Sequence, residues 1–563
     1  MKWLDRYKIK LVDIKWERIF LNIAIEVECD KDIQFYIASI NQNYIVRKKK
    51  EEATNYDMIL SKRIKINYDY HEDCKYYFSL NIAAMNGNDF LDNGQWILIA
   101  VIDEKVHFVN LETDLAYKLD DFSRIFRYGK NKYAYNCSFG LSEIFEDKLI
   151  LEINSYFVIK NEKWKKRRYV QEAITVKGKL KGFYKYLVII MIRLFYSVIT
   201  FFTPKTGKNI LFMTETKDYL WGNLKYIAYR MKFRGLDEKF NITYSCRKSV
   251  GHHTSVVSWI KTVFLIAKQD YIFIDDYAPI FGFLKLSKRT KLIQVWHAGE
   301  GFKSVGYSRF GKTGTPFPSE SSHKAYNYAL VGSENLIKVY EEVFGIKKSL
   351  FLATGMARLD DFLDKDRINK FRKDFFEKYS DFKNKKIILF APTFRGTGQQ
   401  DAYYDYSKID LKSINEFCGS DYIFLIKMHP FIEEKINIPK SCSDNIIDFT
   451  SYPDINELYY ITDLLITDYS SNYYEYALLK KPVIFFTYDR EFYELKRGVH
   501  RDVKSHAPGK VCDTFDELMD ALKNKDYEIE KIYKFVEENF EDFDGHAADK
   551  AIDQILLDGG EKL

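Results

Sequence analysis

Hydrophobic and polar residues alternate in short runs along residues 1–160. Val, Ile, Phe and Tyr recur at every second position, and Asn, Gly and Asp separate the runs. This period is that of half-buried strands. The pattern predicts a β-rich, sandwich-like domain whose strands lie in KIKLVDIKWERIFLNIAIEVE, IQFYIASI, YIVRKKK, RIKINYDY, YYFSLNIAAM and QWILIAVID.

From residue 207 onward, apolar strand-like runs alternate with helix-like segments. One series begins with KNILFMTET and ends with KLIQVWHAG, and a second begins with KKIILFAPTFRG and ends with KPVIFFTYD. A strand–helix–strand succession predicts a parallel sheet covered by helices. We therefore expect two facing, doubly wound α/β domains on either side of a cleft, residues 207–375 and 376–563.

Residues 161–206 read as a basic and apolar linker. The apolar run 187–202 contains Arg193 and is shorter than the roughly 20 apolar residues of a membrane-spanning helix. A basic tract beside an apolar helix suits docking on an anionic membrane, and a buried interdomain helix is the alternative. The residues assigned to membrane docking are Lys165, Lys166, Arg167, Arg168, Lys179, Lys181 and Lys185.

Composition narrows the class of protein. A chain of 563 residues with 46% hydrophobic residues can form several cores. Its net charge of +6 does not demand a nucleic-acid partner, because the basic excess is local. Seven scattered cysteines without a CxxC pair fit free thiols in a reducing compartment. The N-terminal residues lack the apolar run of a signal peptide, so we expect a cytoplasmic protein.

Several polar runs directly follow predicted strands, and ligands of open parallel sheets bind at the carboxyl ends of strands. One is HAGEG, which places His297 before a glycine-rich turn. A histidine pKa of about 6.5 suits removal of a hydroxyl proton near neutral pH. Gly299 and Gly301 would let the backbone approach a ligand closely, whereas the alternative is a core histidine bonded to a carbonyl. We expect His297 to be a catalytic base.

Two further runs are KMHP and APTFRG. Lys427 and His429 lie two apart on a strand and share a side, so both can meet one anionic group. A surface lysine and a hydrogen-bonded histidine are the alternative. Arg395 can bind two phosphate oxygens at once, beside Pro392 and Thr393.

The run TDYSS ends a strand and opens a helix near Ser470 and Ser471. Unpaired N–H groups and hydroxyls there suit a diphosphate. The alternative is ordinary N-capping by Ser470 or Asn472, with Glu475 completing a capping box from Asn472. We expect diphosphate binding, with Glu475 facing a ribose.

Arg358 and two aspartates leave alternatives open. Arg358 can bind a phosphate or pair with Asp360 or Asp361. Asp275 and Asp276 are adjacent on a strand and point to opposite sides, so they do not make a metal site. We expect no essential protein-bound metal.

The stretch from about 207 to 555 resembles the CDP-glycerol glycerophosphotransferase family, which includes the teichoic-acid polyol-phosphate polymerases and primases. The N-terminal region with IKWERI is also similar to the ribitol-phosphate polymerase branch. The resemblance implies a GT-B fold and transfer of a polyol phosphate from a CDP-polyol to a growing chain, with release of CMP. It is carried by IQVWHAGEGFKSVGYSRFGKTGTPF, ILFAPTFRGTG, KMHPF and ITDLLITDYSSNYYEYALLKKPVIFF.

The resemblance also assigns roles to residues. His297 matches the histidine of the WHG motif, the base on the acceptor hydroxyl, and His429 matches the second motif histidine, at the donor phosphates. Where glycerol enzymes read Gly-Thr-Pro after the first histidine, this chain reads AGEG, which leans toward ribitol or another polyol. The expected donor-binding residues are Ala298, Gly299, Glu300, Gly301, Arg358, Pro392, Thr393, Arg395, Lys427, Met428, Ser470, Ser471 and Glu475.

The expected partners are CDP-ribitol or CDP-glycerol as donor substrate, a lipid-linked polyol-phosphate acceptor, and the anionic cytoplasmic face of the membrane, where the protein is peripheral. No permanently bound cofactor and no nucleic acid are expected, and a homo-oligomer stays open. The alternatives are a nucleotide-sugar glycosyltransferase of the same fold and a membrane-surface scaffold. Addition of one unit or many, and a wall or capsular product, also stay open.

Overall fold

A computed structural model describes residues 7–40, 60–82, 84–86, 91–128, 133–142, 144–145, 148–159, 176–248, 255–299, 302, 305–309, 321–396, 401–499 and 501–557. The chain forms two compact units. The first comprises Met1–Leu180 with Asp489–Gly498, and the second comprises Lys181–Tyr488 with Val499–Leu563.

The strands of the first unit are β1 (Ile9–Glu17), β2 (Phe20–Val27), β3 (Gln34–Ile40), β4 (Leu60–Ile66), β5 (Tyr70–Glu72), β6 (Lys75–Asn81), β7 (Gly94–Ile102), β8 (Lys105–Phe108), β9 (Asn110–Leu111), β10 (Arg124–Tyr128), β11 (Tyr133–Leu141) and β12 (Leu151–Ile159). The strands of the second unit are β13 (Asn209–Thr214), β14 (Asn241–Cys246), β15 (Tyr271–Ile274), β16 (Lys291–Gln294), β17 (Tyr328–Leu330), β18 (Phe351–Leu352), β19 (Lys386–Phe390), β20 (Tyr422–Ile426), β21 (Ile446–Asp448), β22 (Leu464–Thr467), β23 (Val483–Phe486) and β24 (Lys510–Cys512).

The α-helices are α1 (Thr113–Ala116), α2 (Leu119–Phe122), α3 (Val176–Phe202), α4 (Gly222–Phe233), α5 (Val256–Lys268), α6 (Ile280–Phe283), α7 (Ile337–Phe344), α8 (Lys365–Lys378), α9 (Leu411–Cys418), α10 (Ile455–Ile461), α11 (Asn472–Ala477), α12 (Arg490–Arg497), α13 (Val503–His506), α14 (Phe515–Asn524), α15 (Ile529–Asn539) and α16 (Ala547–Ile552).

The first unit is a sandwich of two mainly antiparallel sheets. One sheet has the strand order β5-β6-β2-β1-β9, and the other has the order β10-β11-β12-β7-β3-β4, with β8 paired to β7. Alternate residues of both sheets meet in one core, in which Ile25 and Phe35 are fully enclosed. The predicted β-rich domain is confirmed, because each quoted run forms strands except YIVRKKK, which lies outside the described residues.

Helix α12 belongs to this first unit although the strands β23 and β24 around it belong to the second. Leu495 packs against the sandwich core. The Lys496 ammonium donates to the carbonyl of Ser142 at 2.7 Å. The Tyr117 hydroxyl donates to the Glu494 carboxylate at 3.2 Å, and burial together with that carboxylate raises the pKa of Tyr117 to about 12.

The second unit contains two parallel sheets, each six strands wide among the described residues. The first lobe has the strand order β14-β13-β15-β16-β17-β18, and the second lobe has β21-β20-β19-β22-β23-β24. Their strands are nearly continuous apolar runs, as expected for sheets covered on both faces. The predicted architecture of two doubly wound α/β domains of GT-B type after a β-rich domain is confirmed.

The C-terminal helix returns to the first lobe. Sequence order predicts that residues 547–557 belong to the second lobe, whereas Ala551 and Ile552 pack into the first-lobe core beside Met231. Arg230 holds the Asp549 carboxylate at 2.7 Å, so the apolar contact also carries an ion pair.

Helix α3 rests on the first lobe through two polar contacts. The Arg193 guanidinium donates to the carbonyl of Phe283 at 2.7 Å, and the Tyr196 hydroxyl accepts from the amide of Ser287 at 2.9 Å. Leu194, Phe201 and other apolar side chains of the helix are exposed. None of the helices in the described ranges has the length and apolarity needed to cross a bilayer.

Candidate functional site

His297 stands on a distorted turn at the carboxyl end of β16. Trp296, just before it, has a left-handed backbone with φ 50°. That conformation is costly for a bulky residue. The Gln294 side chain accepts from the Trp296 amide at 2.9 Å, and the Asn223 side chain donates to the Trp296 carbonyl at 2.8 Å. These two buried amides offset the strain and fix where His297 begins.

The ring of His297 is oriented by a neighbouring strand. Its Nδ1 lies 3.0 Å from the backbone carbonyl of Asp275, which follows β15. A carbonyl only accepts, so Nδ1 carries the proton and Nε2 presents its lone pair. The side chain is partly exposed. His297 therefore has the tautomer that a general base at Nε2 requires.

The turn after His297 packs against the second lobe. A Cβ on Gly299 would lie 2.0 Å from Cδ1 of Tyr474 on α11, so only glycine allows this approach. The Tyr340 hydroxyl donates to the Ala298 carbonyl at 2.9 Å. Gly299 thus lets the backbone approach a tyrosine ring, where a ligand was expected. Two of the expected donor-binding residues, Glu300 and Gly301, lie outside the described residues.

Asp468, fully buried at the end of β22, ties together two of the expected loops, APTFRG and TDYSS. Its carboxylate accepts from the Thr393 amide at 2.8 Å, from the Ser470 amide at 3.3 Å and from the Arg395 guanidinium at 2.8 Å. Arg395 is almost wholly enclosed, and its charge is compensated inside the protein. This buried ion pair lies under the loop, and contact of Arg395 with phosphate oxygens stays a prediction.

Sequence reasoning missed Asp468, although a signal was present. The residue directly follows an apolar strand in TDYSS, which is where a carboxylate can organise the loops at a sheet edge. Ser470 and Ser471 follow it in the same run and are the residues from which phosphate binding is predicted. The carboxylate below them holds their loop in place.

The serine turn differs from the capping alternative. Helix α11 begins at Asn472, and its N-cap residue Ser471 makes no side-chain capping bond. The Asn472 side chain donates to the carbonyl of Ala391, next to Pro392, at 2.8 Å. The Ser470 hydroxyl accepts from the Asn472 amide at a long 3.4 Å. A capping box from Asn472 to Glu475 is not formed.

The two basic residues of the KMHP loop, Lys427 and His429, make different hydrogen bonds. The Lys427 ammonium donates to the Thr450 carbonyl at 2.6 Å, and burial lowers the pKa of Lys427. Met428 is buried. His429 Nδ1 accepts from the Phe431 amide at 3.2 Å, so the neutral ring carries its proton on Nε2. The His429 ring packs 4.7 Å from the Phe394 ring, which places a hydrogen-bond donor beside the APTFRG loop.

Arg358 and Glu475 pair with each other across the two lobes. The Arg358 amide also donates to the Asn223 side chain at 3.0 Å. The alternative partners of Arg358 make other contacts. Asp360 accepts from the Ala547 amide at 2.9 Å, and Asp361 accepts from the Tyr226 hydroxyl and forms an ion pair with Arg367. Glu475 is buried and pairs with this guanidinium, and its expected contact with a ribose stays a prediction.

The structure therefore joins the expected loops by direct contacts. The His297 turn touches α11, α11 follows the serine loop, and Asp468 ties that loop to Thr393 and Arg395. Of the expected membrane-docking residues, Lys165, Lys166, Arg167 and Arg168 lie outside the described residues, whereas Lys179, Lys181 and Lys185 lie on α3. Within the described ranges, His, Cys, Asp and Glu form no cluster of three or more that could hold a metal ion.

Comparison with known proteins identifies the family of this chain. Residues 194–557 match the family described as CDP-Glycerol:Poly(glycerophosphate) glycerophosphotransferase. The match covers more than half of the chain, and the chain belongs to this family.

Named relatives are similar over part of their length. The teichoic acid ribitol-phosphate polymerase TarL of Staphylococcus aureus is 37% identical over 63% of this chain and 64% of its own length. The teichoic acid poly(ribitol-phosphate) polymerase of Bacillus spizizenii is 38% identical over 63% of this chain and 57% of its own length. The matches thus span less than two thirds of both relatives.

Solved structures support the fold. The wall teichoic acid polymerase TagF superposes with a TM-score of 0.53 and 20% identity, covering 70% of this chain and 100% of that one. A TagF variant soaked with CDPG superposes with a TM-score of 0.54 and 22% identity, covering 68% of this chain and 99% of that one.

Proposed function

We propose that this protein transfers ribitol phosphate from CDP-ribitol to the terminal hydroxyl of a membrane-linked teichoic-acid polyol-phosphate chain and releases CMP. The observation that carries the proposal is His297, whose Nδ1 is held by the Asp275 carbonyl so that Nε2 can accept a proton. Ribitol is favoured because relatives named as ribitol-phosphate polymerases are 36–38% identical over about 63% of the chain.

The chemistry follows from a base and a charge-stabilising loop. His297 Nε2 takes the proton of the acceptor hydroxyl as its oxygen attacks the phosphorus that carries the ribitol. The bond from that phosphorus to the bridging oxygen breaks in line, and CMP leaves. Phosphoryl transfer needs positioning and neutralisation more than covalent help.

The second lobe supplies the donor contacts in this proposal. The Nε2–H of His429 and the hydroxyls of Ser470 and Ser471 hydrogen-bond the diphosphate oxygens. Charge that develops on the leaving phosphate is stabilised by these pre-positioned donors. Asp468 and Arg395 act beneath them by keeping the loops in register.

CMP release tests the proposal. Purified protein receives a lipid-linked polyol-phosphate acceptor with CDP-ribitol or CDP-glycerol in parallel reactions. We expect CMP from CDP-ribitol, lost in His297→Ala by about a hundredfold or more and retained in His506→Ala, an exposed histidine on α13. CMP from CDP-glycerol alone would overturn the donor assignment. Turnover of UDP- or GDP-sugars in place of both would overturn the reaction class.

We also propose that α3 docks on the anionic membrane surface that holds the acceptor. Phe201 and Phe202 near its end are 83% and 76% exposed, which is unfavourable in water and favourable in a lipid interface. Lys179, Lys181 and Lys185 on the same helix would meet anionic headgroups.

Vesicle binding tests the docking helix. Phe201→Asp with Phe202→Asp is expected to weaken co-sedimentation with vesicles of phosphatidylglycerol and phosphatidylethanolamine by about tenfold or more, since each buried Phe contributes about 1.5–3 kcal/mol. Phe233→Asp on α4 is the matched control, because Phe233 is 80% exposed on another helix. Equal loss in the control, or no loss in the double variant, would contradict docking through α3.

A further inference from the structure

Asp275 is a buried carboxyl group beside the proposed base. It follows β15 at the edge of the first lobe and is 2% exposed. Neither of its carboxylate oxygens has a hydrogen bond of ordinary geometry, although the Thr214 hydroxyl lies near enough to favour the charged form. Burying an unsatisfied ionisable group costs free energy and calls for an explanation. Asp468, equally buried, is instead bonded on both oxygens.

The groups around Asp275 come from four neighbouring strand ends. Asp276 follows it in the chain, Thr214 ends β13, Cys246 ends β14, and His297 follows β16. Burial raises the pKa of Asp275 to about 6, Asp276 adds to this, and Thr214 and His297 oppose it. Burial and the Asp275 charge in turn raise the pKa of the Cys246 thiol. Among these neighbours, His297 is the group that can carry a positive charge.

The Asp275 backbone already touches His297. Its carbonyl receives the Nδ1 proton at 3.0 Å, so the imidazole and the carboxyl group belong to one short segment. The next residue, Asp276, accepts from the Tyr277 amide at 2.6 Å with its side chain and is less buried than Asp275. Asp275 is thus the more deeply buried of the two carboxyl groups, and His297 favours its charged form.

We propose that Asp275 is a positioning residue for His297: its carbonyl fixes the ring with Nε2 toward the acceptor, and its carboxylate stabilises the imidazolium formed during transfer. The role of His297 as base rests on the proposed function. The hydroxyl proton goes to Nε2, the acceptor oxygen bonds to phosphorus, and CMP takes the electrons of the broken bond. The carboxylate remains unprotonated throughout, and Nε2 later returns its proton to water.

The direction of the effect follows from electrostatics. A negative charge near an imidazole favours its protonated form, and low surrounding polarity strengthens that attraction. Removing the charge therefore makes His297 a weaker base. The imidazole then becomes protonated only at lower pH, and the acidic limb of the rate profile moves with it.

The test compares Asp275→Asn with Asp276→Asn, which makes the same chemical change one residue away. The first readout is the titration of His297 Cε1–H by NMR in full-length protein carrying labelled histidine, assigned with His297→Gln. We expect the midpoint to fall by about half a pH unit or more in Asp275→Asn and not to fall in Asp276→Asn. This readout needs no substrate, so it decides the proposal even if CDP-ribitol and CDP-glycerol are not turned over.

The second readout is the pH dependence of kcat and KM with the donor that the protein uses. In Asp275→Asn we expect kcat to drop about tenfold or more, KM for the donor to stay within about twofold, and the acidic limb to shift to lower pH. A loss of kcat with an unshifted limb and an unchanged histidine midpoint would mean a merely structural role and would overturn the proposal.

Thr214→Val keeps the proposal testable should Asp275→Asn fold poorly. The Thr214 hydroxyl favours the charged form of Asp275, and valine preserves its shape. Losing the hydroxyl should raise the pKa of Asp275 and lower the His297 midpoint in the same direction as Asp275→Asn. An unchanged midpoint in Thr214→Val, with folding verified by circular dichroism, counts against the carboxylate.

Discussion

Arg358 of the first lobe and Glu475 of the second form an ion pair whose side chains are 11% and 6% exposed. A buried pair of this kind is costly to break from one side, because the remaining charge is left uncompensated in a poorly polar site. The pair therefore couples the two lobes at the helix that also contacts the His297 turn.

Glu475→Gln is expected to lower the free energy of unfolding by about 3–5 kcal/mol, measured by urea denaturation followed through tryptophan fluorescence. Arg358→Met combined with Glu475→Leu should recover most of the loss, since neither variant side chain is charged. A raised KM for the donor with unchanged stability would indicate that Glu475 contacts the ribose after all.

Gly299→Ala should disturb both stability and turnover, because the added methyl group meets the Tyr474 ring at 2.0 Å. We expect kcat to fall about tenfold or more, as positional errors at a base are costly. Tyr474→Ala in the same chain should restore part of it by making room. Gly140→Ala, whose Cβ would find its nearest neighbour at 4.0 Å, is the control and should behave as wild type.

Asn223→Ala removes the amide that donates to the carbonyls of Val295 and Trp296 at 3.0 and 2.8 Å. The left-handed Trp296 would then relax, and His297 would lose its orientation. We expect a drop in kcat of about tenfold or more with little change in donor KM. If kcat/KM fell because donor KM rose while kcat stayed unchanged, Asn223 would instead have a role in donor binding.

Stability should rise with pH above about 8 through Lys481. Burial lowers the pKa of Lys481 from 10.5 to about 8, and its ammonium donates to the Thr462 carbonyl at 2.5 Å. Between these values the unfolded chain binds more protons than the folded chain, so unfolding becomes less favourable as pH rises.

Denaturation of wild type and Lys481→Met across pH 7–10 measures the contribution of Lys481 to stability. The tyrosines, which also titrate at high pH, are present in both proteins and cancel in the difference. The difference in unfolding free energy between the two proteins should grow with pH in the favour of wild type. A difference that stays constant would show that Lys481 keeps its ordinary pKa in the folded protein.

Much of this molecule is predictable from local pattern. The strand IILF and the strand LLIT carry their apolar character in consecutive residues, so both sheets of the second unit can be anticipated. His297 and His429 can also be selected as candidate site residues from the sequence, because each follows such a strand.

Contacts between residues far apart in the chain cannot be predicted from local sequence pattern in the same way. Glu475 looks equally suited to a cap, a ribose or an ion pair, and only the arrival of Arg358, 117 residues away in sequence, decides among them. The local sequence of Ala551 and Ile552 likewise does not show which lobe they join, because apolar side chains suit either core. Only the folded chain places them in the first-lobe core.

Helix α12 gives the chain an unusual covalent layout. The backbone passes between the two units at residues 180–181, 488–489 and 498–499. The middle passage begins directly after Tyr488, whose ring lies 5.1 Å from the Arg395 guanidinium. A cut after residue 180 would therefore not separate the two units, because the chain would still join them at residues 488–489 and 498–499. Removal of residues 1–180 would also deprive Leu495 and Lys496 of the sandwich contacts that hold α12.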